Sequence, residues 1–387
     1  MSIQRHVALW CATHREELRG WRRWLHAHPE LSHDERKTTA FLAATLREAG
    51  LEPRLLPGTG LTVDLGPEAG PRLAFRADID ALPIQEETGL GYSSRVAGVA
   101  HACGHDVHAT VALVVARALA EAPLERGVRV IFQPAEEVLE GGAVDLVAAG
   151  VLEGVEAIFA LHVDPSLEVG TVGVRDGAIT SATDVVEVEV TGPGGHTSRP
   201  HQSADVVFAL GSLITQLPAL LSRRVDPRSH TVFAFGSVAA GEAFNAIPKS
   251  GRLTGTMRTG EIEVWRGAEE LVGELVDEVV APTGCAVELT YRRGVPPVVN
   301  DRHATSLAAA ASGRVARVVR APQSSGGEDF SWYLDEVPGS MLRLGSRSPG
   351  APRTDLHSGL LVVDERAIEI GAVALAGLVD DYAAPGR

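Results

Sequence analysis

The segment His101-Ala-Cys-Gly-His-Asp-Val-His108 places a thiol and three imidazoles within eight residues. Cys103 and His105 stand two apart at a turn ahead of a helical pattern, a spacing that lets both point into one cavity. Thiolate together with imidazole suits a borderline ion such as Zn²⁺, Co²⁺ or Mn²⁺ rather than Ca²⁺ or Mg²⁺. A lone cysteine is more often a small buried hydrophobe than a ligand. The density of histidines around Cys103 weighs the other way.

Gln133-Pro-Ala-Glu-Glu137 follows the apolar run Val128–Phe132. In an open parallel sheet, ligands bind outside the carboxyl ends of the strands. Adjacent carboxylates there can divide labour, one holding a metal while the other moves a proton. Taken alone, such a pair is more often the solvated start of a helix. His162 and Asp78 also follow apolar runs, so three strands end in a possible ligand or proton carrier on one rim. His357, in Asp355-Leu-His-Ser358, has no assignable role by itself.

The elements that must carry these residues alternate. Apolar or β-branched runs at Leu61–Leu65, Arg72–Phe75, Val128–Phe132 and Ala157–Leu161 have helical patterns between several of them, near 106–121 and 143–149. This predicts an α/β catalytic domain with a mostly parallel sheet flanked by helices. Two opening helices are expected to start with capping boxes, Thr13 with Glu16 and Ser32 with Glu35. From Asp184 onward the order reads β-α-β-β-α-β, the split arrangement of ferredoxin-like domains. The expectation is a discontinuous metal-binding domain over 1–180 and 295–387, interrupted by an inserted domain over 181–294.

Composition narrows the function. The 387 residues are 45% apolar and 22% charged, as in ordinary globular proteins, with a formal net charge of −15. That balance argues against nucleic acid or a membrane surface as partner. Three scattered cysteines do not build a disulfide framework, and the first twenty residues lack a signal peptide's apolar run, so a cytoplasmic setting is expected. The apolar stretches near 111–120 and 370–379 are too short to span a bilayer. His-Glu-x-x-His and Gly-x-Ser-x-Gly are absent, and Gly192-Pro-Gly-Gly-His196 lacks the Gly-Lys-Ser/Thr ending of a phosphate loop.

Taken in order, these motifs resemble the amidohydrolase branch of the aminoacylase and carboxypeptidase metallohydrolases. That branch includes hippurate hydrolases, N-acetyl-diaminopimelate deacetylases and indoleacetyl-amino-acid hydrolases. The resemblance runs from Leu25-His-Ala-His-Pro-Glu-Leu31 through Arg76-Ala-Asp-Ile-Asp-Ala-Leu-Pro83, Asn245-Ala-Ile-Pro248, Gly255-Thr-Met-Arg258 and Gly327-Glu-Asp-Phe330 to His357. It implies metal ligands at Cys103, His105, Glu137, His162 and His357, Glu136 as general base, and Asp78 as an aspartate supporting the centre. Five ligands exceed what one tetrahedral ion takes, in keeping with two divalent ions (Zn, Mn or Co) roughly 3.5–4 Å apart.

By the same likeness the inserted domain is a lid and dimerisation domain of a homodimer. His196 would reach a neighbouring subunit's site to stabilise an oxyanion, and Asn245 and Arg258 would hold the substrate. The implied activity is hydrolysis of N-acyl amino acids to a carboxylate and a free amino acid. A dipeptidase or aminopeptidase on the same metals is the alternative, followed by a binding protein that keeps the ions and a cysteine hydrolase built on Cys103. Two places depart from the branch's usual pattern: Val-Leu-Glu-Gly-Gly142 after Glu137, and Ser-Gly-Leu-Leu361 after His357.

Overall fold

The computed structural model describes residues 1–139 and 141–382. They form two compact units. The first comprises 1–179, 299–322 and the chain from 329 onward; the second comprises 180–298 and 323–328.

The first unit is built on an eight-stranded sheet in the order Arg54–Leu55, Leu61–Leu65, Gly127–Gln133, Arg72–Asp78, Val155–Glu168, Gly339–Arg347, Thr171–Val174, Arg317–Arg320. Its four central strands, from Gly127–Gln133 to Gly339–Arg347, run parallel. Every residue of Gly127–Gln133 is buried, as expected of a parallel strand covered on both faces. The helix His105–Ala120 packs on this sheet and is buried along nearly its whole length. Register sets Asp78 beside Gln133 at the carboxyl ends of neighbouring strands.

The helices at the start of the chain differ from their expected caps. A helix Ile3–Thr13 precedes the expected pair, and the Thr13 hydroxyl bonds back to Leu9 O rather than capping Arg15–Ala27. Neither Ser32 nor Glu35 makes a capping bond to Arg36–Glu48. Their side chains instead reach Asp80 and the Ala135 amide, both beside the carboxyl ends of the central strands. Tertiary partners of high value outcompete a local cap that supplies about 1 kcal/mol.

In the second unit the strands Ala182–Thr191, Val232–Ala240, Ser250–Thr259 and Ala286–Val295 form an antiparallel sheet. Their spatial order is Val232–Ala240, Ser250–Thr259, Ala182–Thr191, Ala286–Val295. The helices Val206–Arg224 and Ile262–Val280 pack with it around a separate core. Val206–Arg224 is the single described helix with the length and composition to cross a bilayer, although no such span is expected from the sequence. Its stripe of Val206, Ala209, Leu210, Leu213, Leu217 and Leu221 is buried in this core, which accounts for its apolar character.

Candidate metal centre

The strand Arg72–Asp78, the start of the helix His105–Ala120, the turn after Gly127–Gln133, the strand Val155–Glu168 and the loop around His357 converge in the first unit. Donor atoms of Cys103, His105 and His162 lie within 4.8 Å of one another, as do those of Cys103, Glu137 and His357, and those of His105, Glu136 and Glu137. Shared members join these groups, so the five expected ligands and Glu136 form one connected cluster. His162 sits inside its strand, opposite Arg343, rather than beyond the strand's end.

Hydrogen bonding fixes which nitrogen each imidazole presents. His105 Nδ1 lies 3.0 Å from Asp80 O and 3.2 Å from Asp80 Oδ1, both acceptors, so it carries the proton and leaves Nε2 with its lone pair. His162 Nδ1 donates in the same way to Val163 O at 2.8 Å, and its Nε2 stands 3.4 Å from Cys103 Sγ. Second partners of this kind are how metal-ligating histidines are held in the correct tautomer. His108 is used differently. Its Nε2 accepts the Val163 amide at 2.8 Å and its Nδ1 donates to Asp78 Oδ1 at 2.6 Å, so it has no nitrogen left to offer a cation.

A metal fits these residues. His105 Nε2 and Glu137 Oε1 are buried without a hydrogen-bond partner, a costly arrangement unless a cation satisfies them. They face each other at 3.6 Å, and Glu137 Oε1 is 3.4 Å from His357 Nε2. The set of thiol, imidazole and carboxylate donors is the mixture that a borderline divalent ion prefers. Burial drives the Cys103 thiol well above its ordinary range and the His162 imidazole well below. Burial opposes charge on His105 as well, but Asp78, Asp80 and Cys103 hold that ring well above its usual value. A divalent cation reverses this balance, since a coordinating thiol is deprotonated outright.

Strained backbone aims two of the donors. Ala135 (φ 55°) and His357 (φ 59°) occupy the left-handed region, where a side chain costs on the order of 1 kcal/mol. The Ala135 amide donates to buried Glu35 at 2.8 Å, which anchors the turn that presents Glu136 and Glu137. The His357 amide donates to Ala102 O at 2.8 Å, one residue before Cys103. Gly104 (φ 85°) has no room for a Cβ, which would meet Val163 Cγ2 at 2.4 Å, so glycine is required between Cys103 and His105.

Behind the donors lies a buried polar layer that the sequence reading missed apart from Asp78. Arg76 donates to Asp78 at 2.7 Å, to Gln133 at 2.8 Å and to Asp329 at 2.8 Å. Gln133 donates to both Asp329 oxygens and accepts from Tyr333. Asp80 joins His105 to the Glu137 amide (3.0 Å) and the Ser32 hydroxyl (2.7 Å). Asp106, in the first turn after His105, pairs with buried Arg22 and His26, each at 2.8 Å. A signal was present: Asp78 and Asp80 alternate along one segment, and His108 stands one helical turn after His105.

The second unit carries the other expected site residues. His196 is exposed on a two-strand ribbon, Gly195–His196 against Ala246–Ile247, and its Nδ1 accepts from the Ser198 amide at 3.1 Å and hydroxyl at 2.8 Å. Asn245 O accepts the Thr197 amide, so Asn245 and His196 share that ribbon. Arg258 lies on the strand Ser250–Thr259 and donates to the Thr183 hydroxyl and Ser325 O.

Residues 74–381 match the model of peptidase family M20/M25/M40. The chain is 50% identical over 362 residues to a Rhodococcus jostii (strain RHA1) protein named "Putative glutamate--cysteine ligase 2-3"; the match covers 92% of this chain and 46% of the length of that one. It is 37% identical over 363 residues to N-acetyl-L-cysteine deacetylase of Bacillus subtilis (strain 168), covering 92% of this chain and 86% of the relative. The fold superposes with a TM-score of 0.84 on the crystal structure of Bacillus subtilis YXEP, described as a dinuclear metal binding peptidase from M20 family, at 35% identity and with 95% and 98% of the two chains covered.

Proposed function

We propose, from the premise that this chain belongs to peptidase family M20/M25/M40 and is a metal-dependent amide-bond hydrolase, that it cleaves N-acyl amino acids into a carboxylic acid and a free amino acid. The observation that carries this reading is the position of Glu136. It is the neighbour of Glu137 in a turn held by Glu35, and its Oε2 lies 3.9 Å from His105 Nε2. A carboxylate so placed beside a donor cluster, with its neighbour spent on the cluster, has the geometry of a general base. The deacetylase and dinuclear relatives support the reading from their side.

Cys103, His105, Glu137, His162 and His357 would hold two divalent ions, of Zn, Mn or Co. Such ions supply Lewis acidity toward the scissile carbonyl and lower the pKa of water. Glu136 takes the proton from the attacking water and delivers it to the leaving amine nitrogen. Asp80 and Val163 O hold the imidazoles of His105 and His162 in the tautomers that face the cluster. Asp78 receives His108 and Arg76, which keeps both strand end and helix start in register.

The strand and helix order of the second unit supports a ferredoxin-like lid and dimerisation domain over about 181–294, with the catalytic domain over 1–180 and 295–387. In that arrangement a homodimer forms through the lid, His196 donates to the oxyanion of a neighbouring site, and Asn245 and Arg258 hold the substrate's amide oxygen or carboxylate. The proposal extends to a cytoplasmic hydrolase of the hippurate and indoleacetyl-amino-acid type, as the sequence motifs imply.

The test is release of free amine from N-acetyl, N-benzoyl and indoleacetyl amino acids and from unblocked dipeptides, by protein loaded with Zn²⁺, Mn²⁺ or Co²⁺ and by Glu136→Gln. Cleavage confined to acylated substrates, lowered at least about 10²-fold by Glu136→Gln, is expected. Cleavage of dipeptides alone would move the activity to a peptidase, and near-normal turnover by Glu136→Gln would remove the role given to it.

A further inference from the structure

His26, in Leu25-His-Ala-His-Pro-Glu-Leu31, supplies no donor to the metal centre. Its imidazole is buried between two carboxylates: Nδ1 lies 2.8 Å from Asp106 Oδ2, and Nε2 lies 3.2 Å from Glu86 Oε1. An ionised carboxylate only accepts, so each ring nitrogen must bring a hydrogen, and a neutral imidazole carries one. The Arg22 guanidinium, 3.5 Å from the same Nδ1, has Asp106 Oδ2 at 2.8 Å and takes that closer acceptor instead. We infer that His26 is a positioning residue: as an imidazolium it ties the segment that supports His105 to the segment that supports His357.

Each end of this bridge reaches a different part of the donor cluster. Asp106 follows His105 in the first turn of the helix His105–Ala120. The N-cap of that helix is Gly104, which has no side chain to cap it, so the bonds to Asp106 are what hold the first turn in place. On the other side Glu86 accepts the Ser94 amide at 2.6 Å, which fixes its own loop. The next residue, Glu87, donates its amide to Gly359 O at 2.7 Å, two residues after His357. Gly359 approaches Gln85 so closely that a Cβ would meet its carbonyl oxygen at 2.2 Å, so the loop and the His357 segment move together.

Charge balance favours the imidazolium. Arg22 and His26 set two positive charges against Asp106 and Glu86, and buried charges are tolerated when paired in this way. Burial opposes charge on the ring, but Asp106 and Glu86 outweigh it and the repulsion of Arg22, and hold His26 above the ordinary imidazole value. The other titratable groups facing it are Tyr92, edge-on with ring centroids 5.6 Å apart, and His101, which burial holds down to about 4.

The experiment reads the ring and the metal separately. In heteronuclear nitrogen spectra of the metal-loaded protein, both His26 nitrogens should be protonated at about pH 7.5, a unit above the ordinary imidazole value. A neutral pattern would overturn the bridge, and this readout needs no variant. Zn²⁺ affinity, measured by competition with a chromogenic chelator, should fall about three- to tenfold in His26→Asn and His26→Gln, up to the cost of losing a direct partner of a ligating imidazole. Asn keeps a donor toward Asp106 and Gln keeps one toward Glu86, but neither spans both. The ratio of wild-type to His26→Gln affinity cancels proton competition at the ligands, and it should shrink toward one as pH rises through the raised value of His26. Glu86→Gln should cost less in the His26→Gln background than alone, because both break one bridge. A lowered Tm with unchanged Zn²⁺ affinity, or fully additive losses, would overturn the positioning role. None of these readouts needs turnover, so failure to cleave N-acyl amino acids would sink the hydrolase reading and leave this one standing.

Discussion

Replacing Asp80 by Asn should weaken divalent-metal binding by about tenfold, toward the low end of what losing a second partner on a ligating histidine costs. Asp80 is fully buried and accepts from His105 Nδ1 at 3.2 Å, the Ser32 hydroxyl at 2.7 Å and the Glu137 amide at 3.0 Å. Burial works against its charge, but the bonds from His105, the Glu137 amide and Ser32 hold its carboxyl below the usual carboxylate range. Such partners are worth about 10- to 100-fold in metal affinity, or about 1.4–2.7 kcal/mol. The lower figure applies because the Asp80 carbonyl oxygen, 3.0 Å from His105 Nδ1, remains in the variant and keeps Nε2 turned to the cluster. Competition with a chromogenic chelator for Zn²⁺ measures the affinity, and thermal unfolding reports the fold. Unchanged affinity would show that the carboxylate does not position His105. A loss beyond about a thousandfold, as for deleting a ligand, would show that the backbone carbonyl does not hold the tautomer.

Two more outcomes are expected. Dialysis against EDTA should lower Tm and re-addition of Zn²⁺, Mn²⁺ or Co²⁺ should restore it, since an ion at a hundred times its Kd stabilises by about 2.7 kcal/mol; a Tm indifferent to chelation would refute occupation of the buried donors. Glu86, bonded by His26, the Ser94 amide and Thr88, is held down to about 2 from an ordinary 4.5 even though burial acts the other way. Its contribution is therefore present above pH 4.5 and is lost as pH falls toward 2. The shift corresponds to about 3 kcal/mol, halved to about 1.5 once solvent screening is allowed for, so Glu86→Gln should flatten the loss of stability between pH 4.5 and 2 in urea titrations.

Most of the α/β frame is legible in the sequence because buried parallel strands are written as unbroken apolar runs. The run Val128–Phe132 falls inside the parallel-paired strand Gly127–Gln133, where the pattern puts it. The caps are not legible, because Ser32 and Glu35 have the right spacing for a local bond and are claimed by Asp80 and Ala135, 48 and 100 residues away. The same distance in sequence hides the polar layer: Gln133 and Asp329 are 196 residues apart and meet only once the sheet is closed. Asp78 and Asp80 are equivalent as letters. Only the end of the strand at Asp78 decides that one carboxylate turns to His108 and the other to His105.

The first unit is assembled from pieces at both ends of the chain, which gives the protein an order of events during synthesis. The carboxylate of Asp380, on the helix Arg366–Asp381, accepts the amides of Ile3 and Gln4, and that helix packs on the helices Ile3–Thr13 and His105–Ala120. His357 reaches Glu137 only from this late segment. At ribosomal rates, roughly 15 to 55 seconds separate the making of Cys103 from that of Asp381. For most of that interval a nascent chain carries Cys103 and its neighbouring imidazoles without His357, and for all of it without the complete helix that closes the core.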